Sequence, residues 1–189
     1  MVRLPEFITT ERLTLRRWRV DEAAVIGTAI TSSINHLSPW MAWIASEPLD
    51  SASRVDLIQA WNEEWEAGGD VVLGVFRAGE VVGGTGLHRR RGPGILEVGY
   101  WVHAAHIGHG YATEIAKGLT TCAFELAEIE SVEIHHDKAN VRSRAVPEKL
   151  GFSFDGETED EVLAPAESGI DCRWTMARSE WPTPAVSAD

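Results

Sequence analysis

Apolar and polar positions along the chain fall into segments of distinct period. From Glu11 to Trp18 (ERLTLRRW) they alternate, which predicts a first strand with Leu13, Leu15 and then Trp18 to one side. Val20-Asp21-Glu22 opens a helix to about Thr31, and His36 to Pro48, with two prolines and two tryptophans, reads as a loop or a short broken helix. Asp50 or Ser51 caps a helix through Trp61 and Trp65 to Ala67, ended by Gly68-Gly69. Trp61 and Trp65 stand four apart with Leu57 and Ile58 nearby, so one core face is expected.

The second half is more sharply punctuated. Asp70 to Arg77 and Val81 to His88 form a hairpin around Ala78-Gly79-Glu80, and Ile95 to Val102 (ILEVGYWV) is a strand rich in β-branched and aromatic residues. After a glycine loop, Ala112, Ile115, Ala116, Leu119, Cys122, Ala123 and Leu126 recur at helical spacing, predicting a helix to about Glu128. Ser131 to Asp137 is a strand, and Val141 to Leu150 a short helix stopped by Gly151. Pro147 should kink that helix unless it sits near the first turn. Phe152 to Glu159 and Asp171 to Ala177 close as strands. The order β α α β β β α β α β β suits a single α/β domain over residues 1–178, with 179–189 as a flexible tail.

Composition narrows the class. At 189 residues, 44% hydrophobic and 24% charged, the chain fits one soluble globular unit. No apolar run has the length of a membrane span, and MVRLPEFITT lacks a signal-peptide core. Cys122 and Cys172 read as buried free thiols, in keeping with a reducing cytoplasm. A net charge of −12 argues against a nucleic-acid surface. The same charge makes an anionic ligand depend on local dipoles and cations. His88-Arg89-Arg90-Arg91 and Arg142/Arg144 are candidate cations, although the Gly92-Pro93-Gly94 that follows makes HRRR equally a solvated turn.

The stretch His106-Ile107-Gly108-His109-Gly110-Tyr111-Ala112-Thr113 joins a strand to a helix. Loop amides and the helix N-terminus aim free N–H groups at one spot, and glycines let a phosphate come close. A plain tight turn explains two glycines as well. A dinucleotide fingerprint fails, because Thr113 occupies the third glycine position and the loop lies past mid-chain, and the Gly-Lys-Ser/Thr of a Walker loop is absent.

HIGHGYATEIAKGL resembles the pyrophosphate loop and following helix of the GNAT (GCN5-related N-acetyltransferase) superfamily. ERLTLRRW, LEVGYWV and NVRSRAVPEKLGF agree in order and spacing, and together the four segments resemble the RimL/RimJ branch of ribosomal-protein N-acetyltransferases over residues 10–178. The resemblance implies the GNAT fold, a mixed central sheet flanked by helices, and acetyl-CoA as cofactor. It assigns the coenzyme A pyrophosphate to the amides around Ile107, Gly108, His109, Gly110, Tyr111 and Ala112. Trp101, Val102 and His103 become neighbours of the pantetheine arm, on a strand that splays from its partner. Ala105 stands where many members have Arg or Gln, and His109 replaces a commonly basic residue, so phosphate affinity would weaken as pH rises through the imidazole range.

Acetyl transfer needs a neutral amine, a donor for the carbonyl oxygen and a proton for the departing thiolate. By resemblance Glu97 is a general base, against a solvent-facing or salt-bridged glutamate. The oxyanion donor is expected among the Gly99–Val102 amides, since a strand glycine marks a bulge or a close approach. Asn140 and Ser143 match the family's N-x-x-S, as pantetheine contact and proton donor, against plain helix capping. His135 and His136 point to opposite faces of a strand, so no metal is expected.

Trp40 and Trp43 are candidates for stacking on a substrate, against buried indoles anchoring a loop. An α-amine titrates near pH 8 and a lysine near 10.4, so a site with one modest base leans toward α-amines. Two acceptors follow: a protein or peptide N-terminus, or a small amine such as an antibiotic or aminoacyl-nucleotide-like toxin. A non-catalytic acyl-CoA-binding module is the third reading. A homodimer is compatible with the exposed tryptophans.

Overall fold

The computed structural model describes residues 5–182. Its eight strands are β1 (Phe7–Thr9), β2 (Thr14–Arg17), β3 (Val71–Arg77), β4 (Glu80–His88), β5 (Ile95–Val102), β6 (Ser131–Asp137), β7 (Ser153–Glu159) and β8 (Ile170–Ala177). They form one sheet in the order β1-β2-β3-β4-β5-β6-β8-β7. Every neighbouring pair is antiparallel except β5 with β6. The helices are α1 (Ala23–Thr31), α2 (Ile34–Leu37), α3 (Ser51–Glu66), α4 (Tyr111–Ala123) and α5 (Val141–Leu150). The expected mixed sheet flanked by helices is what forms.

The sheet separates two cores. Leu13, Leu15, Leu73, Leu96 and Val98 pack with Ile115 and Leu119 of α4 on one face. Trp18, Phe76 and Val81 pack with Ile26 and Ile30 of α1 and Ile58 of α3 on the other. Trp18 therefore does not share a side with Leu13 and Leu15. It stands three positions past Leu15, so strand alternation turns it over, and its ring settles 5.3 Å from Phe76. Trp61 and Trp65 also divide, Trp61 joining the second core and Trp65 the first.

Other boundaries move for local reasons. Val20–Glu22 is a 3-10 turn and α1 starts only at Ala23. Glu22 takes hydrogen bonds from both Arg16 Nη groups (2.6 and 2.8 Å) and the Arg19 amide (2.9 Å), which fixes the chain before the helix begins. The short strand β1, with only Ile8 buried, carries too little apolar pattern to be foreseen.

α4 ends at Ala123 rather than near Glu128. Its emerging carbonyls are gathered by Arg178, which donates to Phe124 O (2.5 Å), Leu126 O (2.5 Å) and Ile129 O (2.8 Å from Nε). A guanidinium at a helix C-terminus satisfies orphan carbonyls and opposes the helix dipole. The chain keeps contact with this region beyond residue 178: the Trp181 indole donates to Thr121 Oγ1 (3.1 Å) and meets the Phe124 and Phe152 rings. Residues 183–189 of the expected tail lie outside the described residues.

Arg178→Ala strips several carbonyls of their donor at once. It should lower stability by about 2–3 kcal/mol, read as a shift of the urea midpoint, and Arg178→Lys should recover only part because one ammonium cannot reproduce the fork.

Candidate active site

The site begins where two strands part. β5 and β6 are in register only at Ile95↔Ser131, Leu96↔Val132 and Glu97↔Glu133. The Gly99 carbonyl accepts from Thr85 Oγ1 (2.7 Å) and the His103 amide donates to Val82 O (2.9 Å), so these positions turn toward β4. By alternation Val98, Tyr100 and Val102 turn their N–H and C=O groups to the opposite side; the Glu97↔Glu133 pairing commits the Val98 N–H to β6, and the Val98 carbonyl, Tyr100 and Val102 form the open edge. The strand thus splays from its neighbour, as expected. Gly99 sits in regular register with Gly86, so of the two expectations for it, close approach holds and a bulge does not.

This open edge runs into the glycine loop. Gly110, the N-cap of α4, has φ +78° and its amide precedes the free first-turn amides of that helix. Gly108 also has φ +78°, and a Cβ there would meet nothing within 4 Å, so the space above it is open. Ile107 is 40% exposed at the rim. Tyr111 is buried beneath, stacked on His109 at 5.7 Å. Arg12, not singled out from the sequence, holds the loop from outside: Nη1 donates to His109 O (3.0 Å) and Nε to Glu114 Oε2 (2.7 Å). Ala112 follows in the first helical turn. His103 uses both ring nitrogens on the protein, Nδ1 accepting from the Ala105 amide (3.1 Å) and Nε2 meeting Ser32 Oγ (2.8 Å).

The HRRR cations do not serve this loop. His88 pairs with Glu97 at the start of β5, the far end from the loop. Arg89, Arg90 and Arg91 face Glu128 (3.9 Å), Glu97 (3.6 Å) and Glu133 (3.0 Å). Arg144 is paired with Glu148 at 2.7 Å.

Across the splay stands α5. Asn140 is its N-cap, Oδ1 accepting from the Ser143 amide (3.2 Å). The Ser143 hydroxyl lies 3.2 Å from the Tyr100 phenol, which also reaches the Ser143 carbonyl at 3.4 Å. Pro147 explains the second contact. A residue with an N–H at 147 would donate to the carbonyl of 143, and proline cannot. The carbonyl is left for Tyr100, so a helix defect ties β5 to α5 across the gap. Burial pushes the Tyr100 phenol up to about 12, against the lowering effect of Ser143, so it remains a proton donor.

The opposite face of β5 carries Glu97, Gly99 and Trp101. The Trp101 indole lies over Gly84, where a Cβ would come within 2.4 Å of Nε1, and its ring stands 6.3 Å from Trp43, itself 41% exposed. Trp40 makes no ring contact with this pair among the described residues. Beside Glu97, across the parallel register, lies an ionic cluster: His135 Nε2 meets Glu133 Oε2 and Nδ1 meets Asp171 Oδ2, both at 2.8 Å. Burial pulls the His135 imidazole down, but the hydrogen bonds to Asp171 and Glu133 outweigh it and hold the group above its usual range. His136 points to the other face, accepting from the Trp174 indole at 2.9 Å. Two loops also meet each other, the Ala166 amide donating to Pro39 O (3.0 Å). One is anchored by Trp43, the other by Asp137, which accepts from the Ser168 (2.8 Å) and Gly169 (3.1 Å) amides.

Pro147→Ala should raise stability by about 1 kcal/mol in thermal melts, because the helix regains an internal hydrogen bond. The His135 imidazolium has a raised folded-state pKa, so its stabilisation is complete below the ordinary value near 6.5 and lost as pH climbs through the raised one. Melting temperature should fall over that interval, and His135→Gln should flatten the slope.

A family model described as an acetyltransferase (GNAT) domain matches residues 12–153. The "Putative ribosomal N-acetyltransferase YdaF" of Bacillus subtilis (strain 168) is 25% identical over 176 residues, covering 90% of this chain and 94% of that protein. A crystal structure described as "Probable acetyltransferase" superposes with a TM-score of 0.82 at 26% identity, covering 90% of this chain and 96% of the other. RimL, the ribosomal L7/L12 alpha-N-protein acetyltransferase solved with coenzyme A, gives 0.82 at 15% identity over 91% of this chain and 98% of its own, a likeness of fold. With its match spanning most of its length, the chain belongs to the GNAT family of acetyltransferases.

Proposed function

We propose that the protein moves an acetyl group from acetyl-CoA to a primary amine, with the N-terminal α-amine of a protein or peptide as acceptor. The observation that carries the donor assignment is the unpaired edge of β5 running into the glycine loop. The Val98 carbonyl and the N–H and C=O groups of Tyr100 and Val102 are main-chain groups that an extended amide-bearing arm completes as an added strand. At the end of that edge the Gly108–Ala112 amides and the N-terminus of α4 suit a pyrophosphate, with the open space over Gly108 to receive it. Acetyl-CoA supplies the activated acetyl thioester. The chain's residues position it and move protons: an amide on the open β5 edge donates to the carbonyl oxygen, and Asn140 leaves its side-chain amide nitrogen for the arm. Ser143, backed by Tyr100, delivers a proton toward the sulfur.

The acceptor reading draws on Glu97, which lies on the face of β5 that also carries Trp101 and whose carboxylate favours a cationic group. The YdaF and RimL relatives, described as acting on ribosomal proteins, point the same way. The partly exposed Trp43–Trp101 pair favours a second reading, a small aromatic amine stacked on indole.

Thiol release from acetyl-CoA is to be measured against peptides with free and with blocked α-amines, polyamines, aminoacyl nucleotides and amino-antibiotics. Turnover confined to free α-amine peptides is the expected result. Turnover confined to ring-bearing small amines moves the assignment to the second reading, and none with any amine overturns transfer. Gly110→Trp should weaken coenzyme A binding at least about tenfold by calorimetry, since an L side chain strains the φ +78° position and presses on Arg12, which holds the loop.

A further inference from the structure

We propose that His88, held by Asp70, takes the proton from the acceptor nitrogen, while Glu97 beside it binds the acceptor as its ammonium ion. The inference rests on the acetyl-transfer reading and divides between two residues the work that sequence comparison gives to Glu97 alone.

Three observations carry it. First, His88 Nδ1 lies 2.8 Å from Asp70 Oδ2, and Asp70 Oδ1 is fixed by the Arg89 amide at 2.7 Å. Burial pushes the Asp70 carboxyl up, but the Arg89 amide and the His88 ring outweigh it and hold the group below its usual range, so the partner of Nδ1 is an anion. A carboxylate can only accept, which makes Nδ1 the donor and leaves the lone pair on Nε2. Second, Nε2 has no hydrogen-bond partner among the described residues. Third, Nε2 hangs over the backbone of two glycines: a Cβ on Gly86 would stand 2.9 Å from it and one on Gly99 3.3 Å. Gly99 lies between Val98 and Tyr100, the residues whose main-chain groups face the open edge. The unused basic nitrogen therefore sits on the acceptor side of the strand, above the point where the thioester arm would run.

Glu97 is the direct cross-strand partner of His88 and shares its face of the sheet. The other charges around the ring are Arg89 and Arg90 from the turn and, beyond Glu97, Glu133 with Arg91 and His135. A free carboxylate titrates near 4 and an imidazole near 6.5, so imidazole is the better matched base for an amine at neutral pH. The carboxylate is the better counter-charge for an ammonium ion. In the transfer, the bound ammonium ion first gives one proton to solvent, which frees its lone pair, and a second then passes from nitrogen to His88 Nε2 as the carbon–nitrogen bond forms and the carbon–sulfur bond breaks. One proton reaches sulfur from the Ser143 hydroxyl. Solvent restores Ser143 and relieves His88, so the count closes.

The test compares His88→Gln, Asp70→Asn and Glu97→Gln with wild type, using acetyl-CoA and the panel amine of highest turnover from pH 5.5 to 9.5. Coenzyme A affinity within threefold of wild type certifies the fold of each variant. His88→Gln should lower kcat by about 10²–10⁴ with little change in KM and abolish the acid limb of the kcat profile. Glu97→Gln should raise the acceptor KM tenfold or more with a smaller effect on kcat. Asp70→Asn should remove the preference of His88 for the tautomer protonated at Nδ1, followed by 15N NMR without any acyl donor, and lower kcat in the same direction as His88→Gln. If His88→Gln keeps kcat within threefold and Glu97→Gln removes the acid limb, Glu97 is the base and the proposal falls. A His88 tautomer preference unchanged in Asp70→Asn overturns the role of Asp70. A wild type without turnover on any amine overturns the transfer reading itself, and this proposal with it.

Discussion

Everything distinctive in this molecule follows from a backbone edge without a partner. A parallel pair that begins at Ile95 and Ser131 stops after Glu97 and Glu133, although both strands continue. Main-chain N–H and C=O groups left unpaired in a protein interior cost about as much as a lost hydrogen bond each, so the gap must be held open by something rigid and filled by something complementary. Rigidity comes from both flanks: β5 stays in register with β4 from Val102 back to Glu97, and β6 with β8 along its whole length. Complementarity is the function. On the proposed reading, a ligand with alternating donors and acceptors serves as the missing strand, and the loop that ends β5 receives the charge that ligand carries.

The same sheet solves a second problem on its acceptor face, where large rings must lie close to the backbone. Four glycines form the floor, and each lies under a ring: Gly74 under Trp18 and Phe76, Gly84 under Trp101, and Gly86 and Gly99 under His88. A methyl group at any of them would displace an aromatic or imidazole ring. The three glycines clustered in β4, costly for a strand because they add flexibility and no packing, are explained by these approaches and by the Trp101 carbonyl, 2.2 Å from a Cβ on Gly83.

The parts legible in the sequence are those with a local cause. The hairpin at Ala78-Gly79, the strand into the glycine loop and the capped helix at Asn140 each carry their signal within a few residues. The apolar pattern puts Trp18 with Leu13 and Leu15, but an odd spacing of three from Leu15 turns it to the other face. Asp70 and His88 sit 18 positions apart, one at the entry to a strand and the other in a run of cations. Only the register of β3 on β4, with its irregularity at Val75/Phe76, brings them within 2.8 Å. Arg12 reaches the loop across 97 positions and Tyr100 reaches Ser143 across 43. Contacts of that range leave no periodic trace, so single-sequence reasoning has nothing to hold.

Pro147 shows how a local fault can be absorbed by the site. In an ordinary helix interior a proline costs about 3 kcal/mol, through a lost hydrogen bond and a ring clash with the carbonyl four residues back. Here the carbonyl concerned belongs to Ser143, at the helix turn facing the splay, and the Tyr100 phenol provides it with another donor. Tyr100 extends from the strand whose edge is open, so the repair also links the two sides of the gap. The phenol is buried and held as a donor, which keeps its proton shared between the Ser143 carbonyl and hydroxyl. A serine hydroxyl oriented in this way has its own proton free to turn toward the cleft. The defect in α5 and the proton delivery proposed for Ser143 are in this sense one arrangement, set by a residue that reads in the sequence only as a helix breaker.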